Sequence, residues 1–83
     1  MSVIKYPLST EKSIRMMESE NKLIFVVEKS ATKSEIKKEI ENMFKVKVVK
    51  VNTASVSASE KRAYVKFSKD TPAIDVATQL GLI

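Results

Sequence analysis

The chain has 83 residues, a formal net charge of +5, and neither cysteine nor histidine. Its length fits a single domain over residues 1–83, and 43% hydrophobic residues exclude a disordered chain. The longest apolar run, Leu23–Val27, is too short to cross a membrane. The absence of cysteine and of a signal-peptide pattern favours a cytoplasmic protein.

The first elements are short. Val3–Lys5 is predicted to be extended, with a turn at Pro7, and a short helix is predicted between Ser9 and Ser19 with Ser9 or Thr10 as its N-cap. The run Leu23–Val27 is β-branched and aromatic without alternation, which predicts a central strand buried on both faces.

A second helix is predicted to begin at the capping box of Thr32 and Glu35. Its apolar stripe recurs at helical spacing and is predicted to pack on the sheet; it consists of Ile36, Ile40, Met43 and Phe44. The carboxylates of this helix lie beside lysines, so they are interpreted as structural ion pairs, such as Lys37 with Glu41.

The third quarter of the chain predicts an antiparallel hairpin. Val46–Ser55 is rich in valine, Lys61–Ser68 alternates apolar and polar residues, and the small residues of Val56–Glu60 form a short link. A last helix is predicted with Asp70 or Thr71 as N-cap, Pro72 at its first position, Gly81 as C-cap, and Ala73, Ile74, Ala77 and Leu80 facing inward.

The resulting element order, (β)(α)βαββα, predicts the α+β fold class. A right-handed strand–helix–strand crossover leaves a central slot for Lys61–Ser68, antiparallel to both neighbours. The sheet is therefore predicted to be small and antiparallel or mixed. Helices are expected on both faces, as three layers, because Leu23–Val27 is apolar throughout.

Catalysis is not expected from this composition. Nucleophilic hydrolysis usually needs a histidine or cysteine, and the scattered carboxylates form no metal-binding cluster. The single glycine excludes a glycine-rich phosphate loop. The sequence therefore predicts no enzyme, no cofactor, no metal site and no small-molecule substrate.

The positive charge is localised. Residues 46–69 contain six basic residues and one acidic residue, so this segment carries the whole formal excess of +5. A basic hairpin with an interleaved aromatic, Tyr64, favours RNA as a partner, although Tyr64 alone is more typical of packing. Two alternatives remain open: a basic protein–protein adaptor, and an RRM-like module, because Ala63–Phe67 matches the second half of the RNP1 motif.

A resemblance extends over nearly the whole chain. The segments Val3–Pro7, Ser9–Lys12, Asn21–Lys22, Ala31–Lys37, Phe44–Val48, Val51–Thr53 and Glu60–Val65 occur in an order and spacing similar to those of the L23 family of large-subunit ribosomal proteins. The most specific pair is Val51–Thr53 followed by Lys61–Val65. The short link between the hairpin strands and the brief N-terminus most resemble the compact archaeal form.

The resemblance implies a structural protein of the large ribosomal subunit that binds large-subunit rRNA beside the exit of the polypeptide tunnel. Implied partners are rRNA, neighbouring ribosomal proteins, and the signal recognition particle or other nascent-chain factors. The implied RNA-binding residues are Lys5, Tyr6, Thr10, Lys12, Asn21, Lys22, Lys33, Lys37, Asn52, Thr53, Lys61 and Arg62. Glu11 is implied in protein docking, or equally acts as a first-turn acid that favours its helix.

Overall fold

The computed structural model describes residues 3–81 and contains four strands and three helices in that range. Their order is that expected from the sequence. The strands are β1 (Ile4–Pro7), β2 (Lys22–Val27), β3 (Val48–Ser55) and β4 (Lys61–Phe67), and the helices are α1 (Glu11–Glu20), α2 (Lys33–Phe44) and α3 (Ala73–Gln79). The α+β fold class is confirmed.

The four strands form one sheet in the order β1-β2-β4-β3, and every neighbouring pair is antiparallel. Strand β4 therefore lies between β2 and β3, as the crossover argument predicted. Strand β1 pairs with the other side of β2, with Ile4 opposite Val27 and Pro7 opposite Phe25. Pro7 belongs to this strand, whereas the sequence predicted a turn there; the edge position tolerates a residue that has no backbone N–H.

One hydrophobic cluster joins the sheet to all three helices. The sheet contributes alternate residues of its two central strands, Leu23, Phe25 and Val27 from β2 and Ala63, Val65 and Phe67 from β4. The helices contribute Met17 from α1, Ile36 and Ile40 from α2, and Ala73, Val76 and Ala77 from α3. All three described helices thus share a core with the two central strands.

Strand β2 is buried along both of its faces, as predicted from its apolar run. Phe25 and Val27 are 1% exposed on the side of the cluster. Ile24 and Val26 point the opposite way, because strand residues alternate, and each is only 3% exposed. A strand buried on both faces needs no polar alternation, which explains the continuous apolar sequence.

Helix α2 begins as its capping box predicted. The Thr32 hydroxyl accepts the backbone N–H of Glu35 at 3.2 Å, and the Glu35 carboxylate accepts the backbone N–H of Thr32 at 2.9 Å. The predicted stripe is only partly correct, because Ile36 and Ile40 are fully buried whereas Met43 is 49% exposed. The helix ends at Phe44, and its C-cap Lys45 adopts the left-handed conformation. Met43 therefore lies in the last turn.

The carboxylates of α2 bind backbone groups of the neighbouring strands. Glu39 accepts hydrogen bonds from the N–H groups of Val3 at 3.3 Å and Ile4 at 2.9 Å, and Glu41 accepts one from the N–H of Val48 at 3.0 Å. These contacts satisfy strand-terminal donors that the sheet leaves unpaired. The interpretation of Glu41 as an ion pair with Lys37 is wrong for this structure, in which the ion pairs between described residues involve other side chains.

The capping box predicts a measurable pH dependence. Two hydrogen bonds with Thr32 lower the pKa of Glu35 below its ordinary value of 4.5. The bond from the Thr32 backbone has the larger effect, and the bond with the Thr32 hydroxyl has the smaller one. A lowered folded-state pKa stabilises the fold above the unfolded pKa, and this contribution is lost as the pH falls through the folded pKa. Thermal melts should show the wild type losing stability as the pH falls from about 5 to about 3. We expect Glu35→Gln, which keeps a hydrogen-bond acceptor but does not titrate, to lose less stability over the same range. Identical pH profiles would contradict the prediction.

Helix α3 begins one residue later than predicted. Pro72 is the N-cap rather than the first helical residue, and it provides no side-chain cap, in place of the predicted Asp70 or Thr71. Ala73 and Ala77 are buried as predicted, but Ile74 is 50% exposed. Gly81 follows the helix with φ of 76°, a conformation that glycine adopts without strain.

Candidate nucleic-acid interface

The sheet face opposite the hydrophobic cluster carries the basic side chains of the hairpin. We call it the outer face and define it by Lys22, Lys50, Asn52, Arg62, Tyr64 and Lys66, which alternate with the cluster residues along β2, β3 and β4. Lys50 and Lys66 are exposed, and the other four are partly exposed. The face therefore combines positive charge, an aromatic ring and an amide.

Three lysines form a row across the sheet. Lys66 on the central strand lies opposite Lys22 of β2 on one side and opposite Lys50 of β3 on the other. Since neighbouring strands are about 4.8 Å apart, the three Cα atoms lie within about 10 Å. Like charges directly opposite each other destabilise a sheet. An arrangement that costs stability and concentrates charge is suited to an anionic partner.

Most of the charge in this lysine row is not neutralised within the protein. Lys22 forms an ion pair with Glu20 at 3.2 Å, and its side chain is 21% exposed. Lys50 and Lys66 have no ion pair with any residue in the range 3–81. Two adjacent ammonium groups are thus available to bind phosphate oxygens.

Tyr64 and Asn52 occupy the next row of the outer face. Tyr64 on β4 lies opposite Ile24 of β2 and Asn52 of β3. Neither the Tyr64 hydroxyl nor the Asn52 amide forms a hydrogen bond with the described part of the chain. Both polar groups therefore remain available to a ligand beside the lysine row.

Arg62 and Tyr6 lie in the third row. Val26 separates them, because it lies opposite Arg62 on one side and Tyr6 on the other. The Arg62 Nε donates to Glu60 at 2.8 Å, which offsets part of its charge. Tyr6 is 50% exposed. The structure thus brings three of the sequence-predicted RNA-binding residues together on the outer face, Lys22, Asn52 and Arg62, with Tyr6 beside it on the edge strand β1.

Lys61 does not lie with Arg62. It alternates with Arg62 along β4, and its Nζ donates to the carbonyl oxygens of Ala31 at 2.7 Å and Lys29 at 3.4 Å. These contacts tie β4 to the turn that precedes α2. The hairpin charge is therefore divided between two faces of the sheet, and part of it has a structural use.

Asn21 also has a structural role that the sequence did not predict. It lies in the left-handed conformation with φ of 57°, between α1 and β2. Its Nδ2 donates to the carbonyl oxygens of Phe67, Ser68 and Thr71 at 3.1 Å each, and its Oδ1 accepts the N–H of Ala73 at 2.6 Å. The side chain thereby fixes the end of β4 and the start of α3 and is engaged inside the protein.

The residues at the start of α1 form a separate surface. The Thr10 hydroxyl accepts the N–H of Ser13 at 3.2 Å, and the Ser13 hydroxyl accepts the N–H of Thr10 at 2.9 Å, so Thr10 caps the helix as predicted. Glu11 and Arg15 form an exposed ion pair at 2.6 Å. Lys12 is exposed beside them. This end of α1 is available for contact with a partner.

The remaining predicted residues are dispersed. Lys5 is exposed on β1, and Lys33 and Lys37 are exposed on the first turns of α2. Thr53 lies opposite Ala63, so it faces the side of the cluster rather than the outer face. The structure therefore does not gather the twelve predicted RNA-binding residues into one site.

Lys50, Lys66 and Tyr64 complete the outer face but were missing from the residues implied by family resemblance. A sequence signal for Lys66 and Tyr64 existed, because both alternate with the apolar residues of Lys61–Phe67. Sequence alone does not give the register that places Lys66 between Lys22 and Lys50. The lysine row is thus a product of strand pairing.

The described part of the chain offers no metal-binding cluster beside this face. Residues 3–81 contain no group of three or more acidic side chains able to hold a metal ion. A groove of about 370 Å³ between α1 and α3 has Glu18 as its single titratable lining residue. In the described range, no helix has the length and hydrophobicity needed to cross a bilayer.

Comparison with known proteins identifies the family. The family model described as "Ribosomal protein L23" matches residues 2–77. The protein named "Large ribosomal subunit protein uL23" from Pyrobaculum aerophilum is 43% identical over 81 residues, which cover 98% of this chain and 100% of the relative. Together with the α+β fold and its basic sheet face, these matches confirm the resemblance found in the sequence: the chain belongs to the ribosomal protein L23 family.

Proposed function

We propose that this protein is a structural, non-enzymatic constituent of the large ribosomal subunit that binds large-subunit rRNA through its outer face. Membership of the L23 family and the name of the Pyrobaculum relative support the ribosomal assignment. The whole chain, residues 1–83, acts as one rRNA-binding domain, bound to cytoplasmic ribosomes and adjacent to other ribosomal proteins.

The lysine row is the observation that carries this proposal. Lys22, Lys66 and Lys50 oppose one another across three strands, and two of them lack an ion pair among residues 3–81. Lysine side chains neutralise phosphates without reading sequence, so rRNA shape supplies the specificity. Lys5, Lys12, Lys33 and Lys37 extend the contact beyond the outer face, whereas Asn21 and Lys61 support it from within the fold.

The location proposed for the bound protein is beside the exit of the polypeptide tunnel. There the exposed start of α1 serves as a docking surface for nascent-chain factors such as the signal recognition particle. Glu11 is 79% exposed and pairs with Arg15. Because an exposed ion pair of this kind contributes little to stability, Glu11 can exchange Arg15 for a basic group of a docking factor at small cost.

Sedimentation tests the ribosomal assignment. We expect the wild-type protein to co-sediment with the large subunit at moderate salt and Lys50→Glu/Lys66→Glu to be largely released, because reversal turns two phosphate contacts into repulsions. The matched control is Lys29→Glu/Lys38→Glu, which reverses two exposed lysines outside the outer face and should remain bound.

Two results would contradict the proposal. A wild-type protein that stays in the soluble fraction is not a ribosomal constituent, and this result would favour the adaptor alternative. Equal release of both double variants would mean that total charge, rather than the outer face, determines binding.

A further inference from the structure

We propose that the outer face binds an unpaired RNA nucleotide, whose base stacks on Tyr64 while the lysine row holds the adjoining phosphates. This inference rests on the proposed RNA-binding function and adds the kind of RNA that the face recognises. A charged sheet face by itself would accept any polyanion. The second row of the outer face, formed by Tyr64 and Asn52, restricts which polyanion fits.

Tyr64 is placed as a stacking platform. It lies on a central strand, on the face away from the hydrophobic cluster, with Ile24 on one side and Asn52 on the other. Its ring is partly exposed and its hydroxyl has no hydrogen bond with residues 3–81. An aromatic ring on a sheet stacks with any base, because every base has a π-face.

The spacing between the two rows suits one nucleotide. Tyr64 and Lys66 are two residues apart on β4, which corresponds to about 7 Å along the strand. The base therefore lies over Tyr64 while the backbone follows Lys22, Lys66 and Lys50 across the strands. Asn52, beside Tyr64, offers both an amide donor and a carbonyl acceptor to the edge of the base.

A duplex does not fit these rows. Bases in a helix are already stacked on each other, and the major groove of A-form RNA is too deep and narrow for a sheet face to enter. A bulged or looped nucleotide presents a free base together with its phosphates. The layout of a four-stranded sheet with an aromatic on a central strand is also the one that RRM domains use for single strands, although here the edge strand β1 comes from the N-terminus.

Binding of a short mixed-sequence RNA, single-stranded or annealed to its complement, tests the proposal. We expect the wild type to prefer the single strand and Tyr64→Leu to bind it roughly 5- to 150-fold more weakly, the equivalent of losing one base–aromatic stack. Tyr64→Phe keeps the ring and should stay within about twofold of the wild type. Thermal melts of both variants check that the fold is retained.

The proposal would be overturned by equal affinity for duplex and single strand, by equal losses for Tyr64→Phe and Tyr64→Leu, or by tighter binding of a poly-glutamate peptide than of RNA. If wild type and Tyr64→Leu co-sediment equally with the large subunit and bind RNA equally, stacking on Tyr64 is wrong while the ribosomal function stands. If the wild type fails to co-sediment, the proposed function is wrong as well.

Discussion

Asn21→Asp is expected to lower the free energy of unfolding by about 3 kcal/mol. The Asn21 amide donates hydrogen bonds to the carbonyl oxygens of Phe67, Ser68 and Thr71. An ionised aspartate has no N–H group and cannot donate these bonds. Ionised aspartate would also place a negative charge against these carbonyls. Aspartate tolerates the left-handed backbone at φ of 57°, so the substitution removes the side-chain contacts without adding backbone strain.

Thermal denaturation measures this effect, with a melting temperature expected to fall by roughly 12–24 °C for a chain of this size. Asn42→Asp is the matched control, because Asn42 is exposed on α2; we expect it to cost less than about 1 kcal/mol. Equal losses would mean that the four hydrogen bonds of Asn21 do not hold in solution. RNA affinity provides a second readout: a large loss of affinity with unchanged stability would instead support the sequence-based prediction of an RNA contact.

Lys50→Gln/Lys66→Gln is expected to weaken RNA binding about 25-fold at 0.1 M salt, because each lost phosphate contact on a single strand contributes about fivefold there. The slope of log affinity against log salt should become shallower by about 1.4. The same variant should be more stable when free, because it removes the repulsion of Lys66 with Lys22 and with Lys50, at about 0.2–1 kcal/mol per opposed pair.

Opposite changes in affinity and stability distinguish a binding role from a structural one. If a lysine only supported the fold, its replacement would lower the stability of the protein. The control Lys29→Gln/Lys38→Gln removes the same charge from exposed positions outside the outer face and should change neither quantity by much. If the two double variants lose affinity equally, the lysine row has no special part in binding.

Local sequence signals predicted the elements of this fold correctly. The N-cap of α1, the capping box of α2, the apolar run of β2 and the alternation in β4 depend on residues a few positions apart, where backbone chemistry decides the structure. The central place of β4 also followed from chain order and crossover handedness. The errors concern single positions within the helices: Met43 is exposed in the last turn of α2, and Ile74 is exposed in the first turn of α3 although Ala73 beside it is buried.

The site was less predictable than the fold. Localised charge pointed to the hairpin, yet Lys61 turns to the carbonyls of Lys29 and Ala31 while Arg62 faces the outer side. Family resemblance supplied Lys22 and Asn52 but also Asn21, whose amide is used to join β4 and α3. A residue type shared with a family indicates that a position matters without saying whether it binds a partner or holds the fold.

The sequence by itself determined the α+β order of elements, because alternation and capping are local properties of the chain, and its localised basic charge predicted an anionic partner. The tertiary structure alone decided which charges act together. Lys22, Lys50 and Lys66 are far apart in sequence and meet only through the register of three strands. Register depends on how the buried faces of β2, β3 and β4 pack, since a shift of one residue would turn these lysines into the core.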